Sequence, residues 1–320
     1  MALPVFEKAT RKKAKLRMAL TGVSGSGKTL GALYIAYGIT GDWGRVALID
    51  TEHERARFYA GRADLGVGEF LYAPLDPPYS PDRYKDFVAA ACDTVGPDGV
   101  VVVDSLSHAW NNEGGVLEIK NKLSKQQGQT GFSAWDMAGR IQNNLINTIL
   151  SANCHTIVTM REKMDYTIIE NENGKKMPVK VGLAPIQRDD AEYEFDVVLS
   201  ISRDHTIHAS KDTTILDDAN GIITPEMGEK LAAWLNDGVD EVITCEDCGT
   251  VITPVGTCTA RQVAAVSYER FGRRLCAGCT RKANAKKKAG ETEPQPPAQT
   301  EEPAAEQKPA GRKKANASAN

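Results

Sequence analysis

The chain has 320 residues, 41% of them hydrophobic and 25% charged, with a formal net charge of -3. That is ordinary soluble-domain composition, long enough for one sizeable core and a small appendage. The acid balance argues against a global electrostatic grip on nucleic acid, so such contacts fall to local patches. No apolar run reaches the roughly 18 residues of a membrane span, and the basic start lacks the apolar region of an export signal. The expected compartment is therefore the cytoplasm, where seven cysteines read as metal ligands or free thiols rather than disulfides.

Composition divides the chain in three. Residues 1–240 alternate strand-like and helical stretches, residues 241–282 hold paired cysteines, and residues 283–320 are Lys, Ala, Glu, Pro and Gln with almost no apolar side chains. The last stretch cannot bury enough surface to offset its ordering entropy and reads as a disordered tail.

In chain order, Leu16–Thr21 reads as a strand and Lys28–Ile39 as a helix opening straight from a glycine-rich loop. Arg45–Thr51 is a second strand. Ser80 caps a helix with Pro81 at its first position, running to about Val95. Four valines, Val100–Val103, end at Asp104, which suits a strand buried on both faces. A long helix is expected over Ser133–Ser151 with Ser133 as cap, then a strand over His155–Met160. Tyr166–Glu170 and Lys176–Val181 flank Asn173-Gly174, a hairpin signal. Phe195–Ile201 and Thr206–Ser210 follow as strands, and Pro225–Leu235 as a closing helix. Strands alternating with helices predict an α/β fold around a mostly parallel sheet.

Gly22, Val23, Ser24, Gly25, Ser26, Gly27, Lys28 and Thr29 fit the G-x-x-x-x-G-K-[ST] phosphate loop. Glycines let successive N–H groups turn toward phosphate oxygens, and the helix that follows adds its N-terminal partial charge. Lys28 is expected on the β- and γ-phosphates of ATP, the Thr29 hydroxyl on Mg²⁺, and Leu30 at the nucleotide. Asp104, ending a buried strand, is either the acid that holds the Mg²⁺ hydration shell or a helix cap. Glu52, past the second strand, is either the group that activates water or a first-turn glutamate favoured by a helix dipole.

Cys245-x2-Cys248 and Cys276-x2-Cys279 form two knuckles of a small zinc-ribbon-like domain, and four thiolates suit structural Zn²⁺ with no open position. The long spacer between them is taken up by a helix over Ala260–Phe271. Cys258 stays outside the site. Cys92 and Cys154 read as small buried hydrophobes on helices. His108 and Trp110 either couple nucleotide state to the next loop or simply pack.

Leu48–Ala60, Val100–Trp110 and Thr156–Arg161 together resemble the RecA-like P-loop ATPase core. The stretches FEKATRKKAKLRMALTG, DSLSHAW with EGG, VGLAPIQRDDAEYEFD and PEMGEKLAAWL resemble phage and prophage ATP-binding proteins of the AAA-domain type, over residues 5–236. The resemblance implies that Glu52 is the catalytic base of ATP hydrolysis and that the chain acts on single-stranded DNA in recombination or annealing. It places DNA contacts in Gly114–Phe132, with Lys120, Lys122 and Lys125, and in Arg161–Gly182, with Arg161, Lys163, Lys175, Lys176 and Lys180. The Lys8–Arg17 cluster and Lys286–Lys288 would add attraction. It also implies a homo-oligomer, with Lys211 either reaching a neighbour's γ-phosphate or merely solvated. It breaks at the end of His155–Met160, where RecA has a glutamine sensor and this chain has Thr159 or Arg161 nearby, so no sensor is carried over. A replication accessory acting on a protein partner and a zinc adaptor with little turnover remain open as other readings.

Overall fold

The computed structural model describes residues 8–126, 130–170, 176–189, 191–239, 242–256 and 258–288. Strand β1 (Arg17–Gly22) is buried along its whole length and sits inside the sheet. Around it run β2 (Val46–Asp50), β3 (Leu71–Pro74), β4 (Val100–Asp104), β5 (His155–Glu170), β7 (Val197–Ile201) and β8 (Ile207–Asp212), in the order β3-β2-β4-β5-β1-β7-β8. All these neighbours pair in parallel except β7 with β8. Strand β6 (Lys176–Pro185) pairs antiparallel with the outer part of β5.

A mostly parallel sheet needs cover on both faces. Helices α1 (Lys28–Thr40) and α6 (Pro225–Asn236) cover one face, where Met18, Leu20, Leu33, Val102 and Leu231 pack together. Helices α2 (Pro81–Val95) and α5 (Gly131–Leu150) cover the other, where Ala19, Val103, Tyr84, Val88 and Leu145 pack. Successive residues of one strand thus feed opposite cores, as the two-residue period requires. Helices α1 and α6 meet at glycines: a Cβ on Gly38 would lie 2.0 Å from the Pro225 carbonyl oxygen. Short helices α3 (Ser107–Asn111) and α4 (Val116–Ser124) link β4 to α5.

Several expectations shift. Strand β3, an edge strand of four residues, is added to the expected set. Strand β5 runs on through Tyr166–Glu170 rather than stopping at Met160, so the expected hairpin is an extension of the central sheet. The Asn173-Gly174 turn, and Lys175, lie outside the described residues. Helix α5 begins at Gly131 with Thr130 as its cap; Ser133 is the third residue, and its side chain closes a reciprocal capping box with Thr130. Arg17 does not join a solvent-facing basic cluster: it is buried, and its guanidinium donates to the carbonyls of Leu150, Ala152 and Cys154. Cys154 lies in the bend ahead of β5, not on a helix, with its Sγ 2.9 Å from that of half-buried Cys92.

The C-terminal unit is built on α7 (Ala260–Phe271), capped by Thr259 and Gln262 as a second capping box, and α8 (Ala277–Lys288). Its small core is Cys245, Ile252, Ala264, Leu275 and Ala283. Helix α8 runs through residues expected in the tail, and Ala283 is buried in this core. No described helix is long and apolar enough to cross a membrane.

Candidate nucleotide pocket and metal centre

The phosphate loop joins the C-terminal end of β1 to the first turn of α1. Gly22 must be glycine here, since a Cβ would sit 2.5 Å from the Ile201 carbonyl oxygen and 2.6 Å from Ser26 Oγ. Gly25 and Gly27 hold φ of 81° and 93°, in the left-handed region where glycine is favoured. Gly27 is the N-cap of α1 and brings no side chain to the helix's first N–H groups, which leaves those donors for a ligand. A feature not read from sequence is His205, in the turn between β7 and β8. Its Nδ1 lies 3.0 Å from the Ser26 carbonyl oxygen, so the imidazole braces the loop from outside.

Three side chains converge below the loop. Lys28 Nζ donates to the carbonyls of Gly22 and Val23 at 2.9 and 2.8 Å. Burial pushes its amine below the ordinary value, partly opposed by Asp104 and Glu52. Thr29 Oγ1 donates to Asp104 Oδ2 at 2.6 Å, and Thr159 donates to the other Asp104 oxygen. Asp104 is buried, and that burial pushes its carboxyl up despite the two hydroxyl donors. A buried carboxylate beside a threonine hydroxyl is a hard oxygen pair of the kind Mg²⁺ takes. The peptide between Asp104 and Ser105 is cis.

Glu52 lies just past β2, on a turn pinned by Asp50. The Asp50 carboxylate accepts from the amides of Glu52 and Ala56 and from the Tyr72 hydroxyl. His53 and Glu54 follow at φ of 57° and 61°, in the left-handed region that His205 also adopts at 70°. The Glu52 carboxylate faces Arg161, whose Nε and Nη2 donate to its two oxygens. Burial raises the Glu52 carboxyl, but the Arg161 hydrogen bonds and charge outweigh it and hold it below the ordinary range. Behind this pair, Thr51 Oγ1 lies 2.8 Å from His108 Nδ1 and accepts from the Ser105 amide at 2.9 Å. His108 is buried, and burial followed by the nearby Arg161 charge depresses its pKa.

These groups line a cavity of about 740 Å³ with Ser24, Gly25, Gly27, Lys28, Thr29, Leu30, Glu52, Asp104 and Arg161 on its wall. Of the expected loop residues, Gly22 and Ser26 sit behind that wall, with Ser26 fully buried. Tyr34, Phe58, Tyr59, Ile222 and Ile223 also line the cavity. A lining that combines aromatic and aliphatic side chains with cations and loop amides offers both kinds of contact a nucleotide needs. Lys211 stands elsewhere, on β8, donating to the Tyr193 carbonyl of its own chain.

The four knuckle cysteines are brought together. The Sγ atoms of Cys245, Cys248, Cys276 and Cys279 lie within 4.8 Å of one another, with Cys248 and Cys276 at 3.8 Å. Zn–S bonds of about 2.3 Å in a tetrahedron place sulfurs about 3.8 Å apart, so the set fits zinc. Gly249, at φ 69°, makes the first knuckle's turn, and its amide donates to the Cys245 carbonyl at 2.9 Å. Backbone amides of the knuckles overcome burial and bring Cys245 down to about 6, while the crowding of Cys248 and Cys276 drives Cys279 up to about 12. Four sulfurs this close hold their negative charge only with a cation between them. Cys258 is exposed and outside the cluster.

No curated protein matches the chain. A family model described as an AAA domain matches residues 14–210, which is 197 of the 320 residues and takes in β1, the phosphate loop, Glu52, Asp104 and Arg161. With its mostly parallel sheet, phosphate loop and buried strand-end aspartate, the chain belongs to the AAA domain family of P-loop ATPases.

Proposed function

We propose that the chain is a RecA-like enzyme that hydrolyses ATP to ADP and phosphate and acts on single-stranded DNA, in recombination or annealing of the phage type. The observation that supports the chemistry best is the convergence of Lys28, Thr29, Asp104 and Glu52 on one cavity from three separate stretches of chain. Lys28 and the loop amides stabilise charge on the γ-phosphoryl group. Thr29 and Asp104 hold Mg²⁺, which when bound neutralises the phosphate oxygens. Glu52 orients a water and takes its proton as the water oxygen bonds to the γ-phosphorus and the bond to the β–γ bridging oxygen breaks. Arg161 is a cation on the same wall, and a γ-phosphate entering the pocket competes with Glu52 for it. Release of one carboxylate oxygen then frees the base.

Support for the nucleic-acid half comes from the surface beyond β4. Trp135 is 47% and Phe132 86% exposed on α5, Trp110 lies against Trp135 at 6.5 Å, and Lys120 Nζ sits 4.8 Å from the Trp135 ring. Rings flanked by lysine suit unstacked bases and their phosphates. Helix α3 carries both Trp110 and the His108 that touches Thr51, next to Glu52, so a ligand on the rings bears on the catalytic turn.

The test is the ATPase rate with and without single-stranded DNA at low and high salt. Stimulation at low salt that disappears at high salt is expected. Turnover indifferent to DNA but raised by a protein partner would replace the DNA reading with that of a replication accessory. Tight ATP binding with negligible turnover, unchanged by Glu52→Gln, would leave a nucleotide-binding adaptor.

A further inference from the structure

The four-cysteine module has the opposite charge to the rest of the molecule. From position 242 to position 288 there are nine Lys and Arg against three Asp and Glu, a net of +6. Since the whole chain is -3, everything outside that stretch sums to -9.

Where that positive charge falls is informative. Two of the three carboxylates are taken up at the first knuckle, where Arg274 pairs with Glu246 at 2.7 Å and Arg273 with Asp247 at 2.6 Å. Helix α8 has no acidic residue at all. Its Arg281, Lys282, Ala285 and Lys286 are exposed, while Ala283 is buried. Spacings of one, four and five residues put those four positions on one arc of the helix. The exposed arc of α8 is thus basic throughout, with alanine as its only other residue. The metal-ligand set fixes where this arc stands, because Cys276 immediately precedes α8 and Cys279 lies in its first turn. On the companion helix α7, Arg270 is exposed, and Tyr268 and Val266 are 52% and 58% exposed.

We infer that this module binds single-stranded nucleic acid, with Arg281, Lys282 and Lys286 on its phosphates and Tyr268 offering a face to a base. The claim stands apart from the ATPase reading, since it uses no residue of the nucleotide pocket. A row of one sign, without paired carboxylates to set a register, suits a uniformly charged polymer read without sequence preference. A membrane surface is the poorer fit, because the exposed arc of α8 offers lipid no large apolar side chain. An open strand is favoured over a duplex because an exposed tyrosine is of use only where bases are unstacked.

The experiment uses the full-length, zinc-loaded chain and a fluorescein-labelled oligonucleotide of about 30 bases, single-stranded or as duplex, read by anisotropy between about 50 and 200 mM salt. Wild type is compared with the triple variant Arg281→Gln, Lys282→Gln, Lys286→Gln. Zinc content and far-UV circular dichroism establish that the variant's module is intact, and ATP turnover without nucleic acid is expected to be unchanged. A second variant, Tyr268→Ala, leaves the charge alone. Three lost phosphate contacts at about 0.7 each lower the slope of log K against log salt by about 2. The triple variant should therefore bind the single strand at least about tenfold more weakly at the lowest salt, with Tyr268→Ala weakened at every salt and its slope kept. An intact triple variant that binds with wild-type affinity and slope overturns the proposal. Equal α8-dependent binding of the duplex overturns the single-strand assignment. Capture of anionic vesicles or polyglutamate, but not of the oligonucleotide, by the same residues assigns the face to lipid or to an acidic protein instead.

Discussion

His155 opens the central strand β5 from a buried position, and its Nδ1 accepts a hydrogen bond from the Leu16 amide at 3.0 Å. A nitrogen that accepts from an N–H carries no proton, so the folded chain holds this imidazole neutral. Burial, aided by the charges of Lys15 and Arg17 and opposed by Asp98, brings its pKa from 6.5 down to about 3. A histidine depressed in this way stabilises the fold fully above the unfolded value and loses that contribution as pH falls from about 6.5 toward 3. At pH 5 the unfolded histidine is about thirtyfold more protonated than unprotonated while the folded one is still neutral, which costs about 2 kcal/mol relative to pH 7.5. His155→Gln keeps an acceptor near Leu16 and removes the titration. Urea unfolding at pH 7.5 and pH 5 should then show a decrement about 2 kcal/mol smaller in the variant than in wild type. The packing cost of the substitution is present at both pH values and cancels in that difference. An identical pH decrement in the two proteins would refute the reasoning and the buried, neutral state of His155 with it.

Other consequences follow from the site. Arg161→Met removes the charge that outweighs burial at Glu52, so the acid limb of the kcat/KM profile for ATP should move to higher pH; an unmoved limb means that Glu52 is not the titrating base. Glu52→Gln should keep ATP affinity and lower kcat by about 10² to 10⁴, measured by single-turnover hydrolysis. Chelation of zinc should unfold the small module while β1 and its neighbours keep their melting transition, because zinc-ligand free energies of about 10–16 kcal/mol dwarf what so small a core supplies. Folded protein holding under about half an equivalent of zinc would count against the four-thiolate site.

How much of this is legible in sequence depends on distance along the chain. The phosphate loop is contiguous, and its glycines, lysine and threonine announce themselves by spacing. The four valines before Asp104 mark a strand buried on both faces, and two knuckles frame a helix whose bounds, Ala260–Phe271, match the structure. Contacts across long separations leave no such trace. Arg161 and Glu52 are 109 residues apart, and nothing local to either names the other. His205 reaches the loop from 179 residues away, through a left-handed turn that composition does not mark. Asp50 looks like any strand-end carboxylate, yet its two oxygens hold the turn that aims Glu52. The start of α5 is ambiguous for a different reason: Thr130 and Ser133 are both good cap residue types, and only the structure shows Thr130 as the cap with Ser133 bonding back to it.

The claim on which the rest depends is that the cavity under the glycine-rich loop holds the phosphates of a nucleotide through Lys28. Isothermal titration of ATP with Mg²⁺ into wild type and into folded Lys28→Ala tests it. Loss of charge-assisted hydrogen bonds worth about 1.5–3 kcal/mol each predicts binding weaker by at least about tenfold. Unaltered affinity in the alanine variant would contradict the assignment of the pocket.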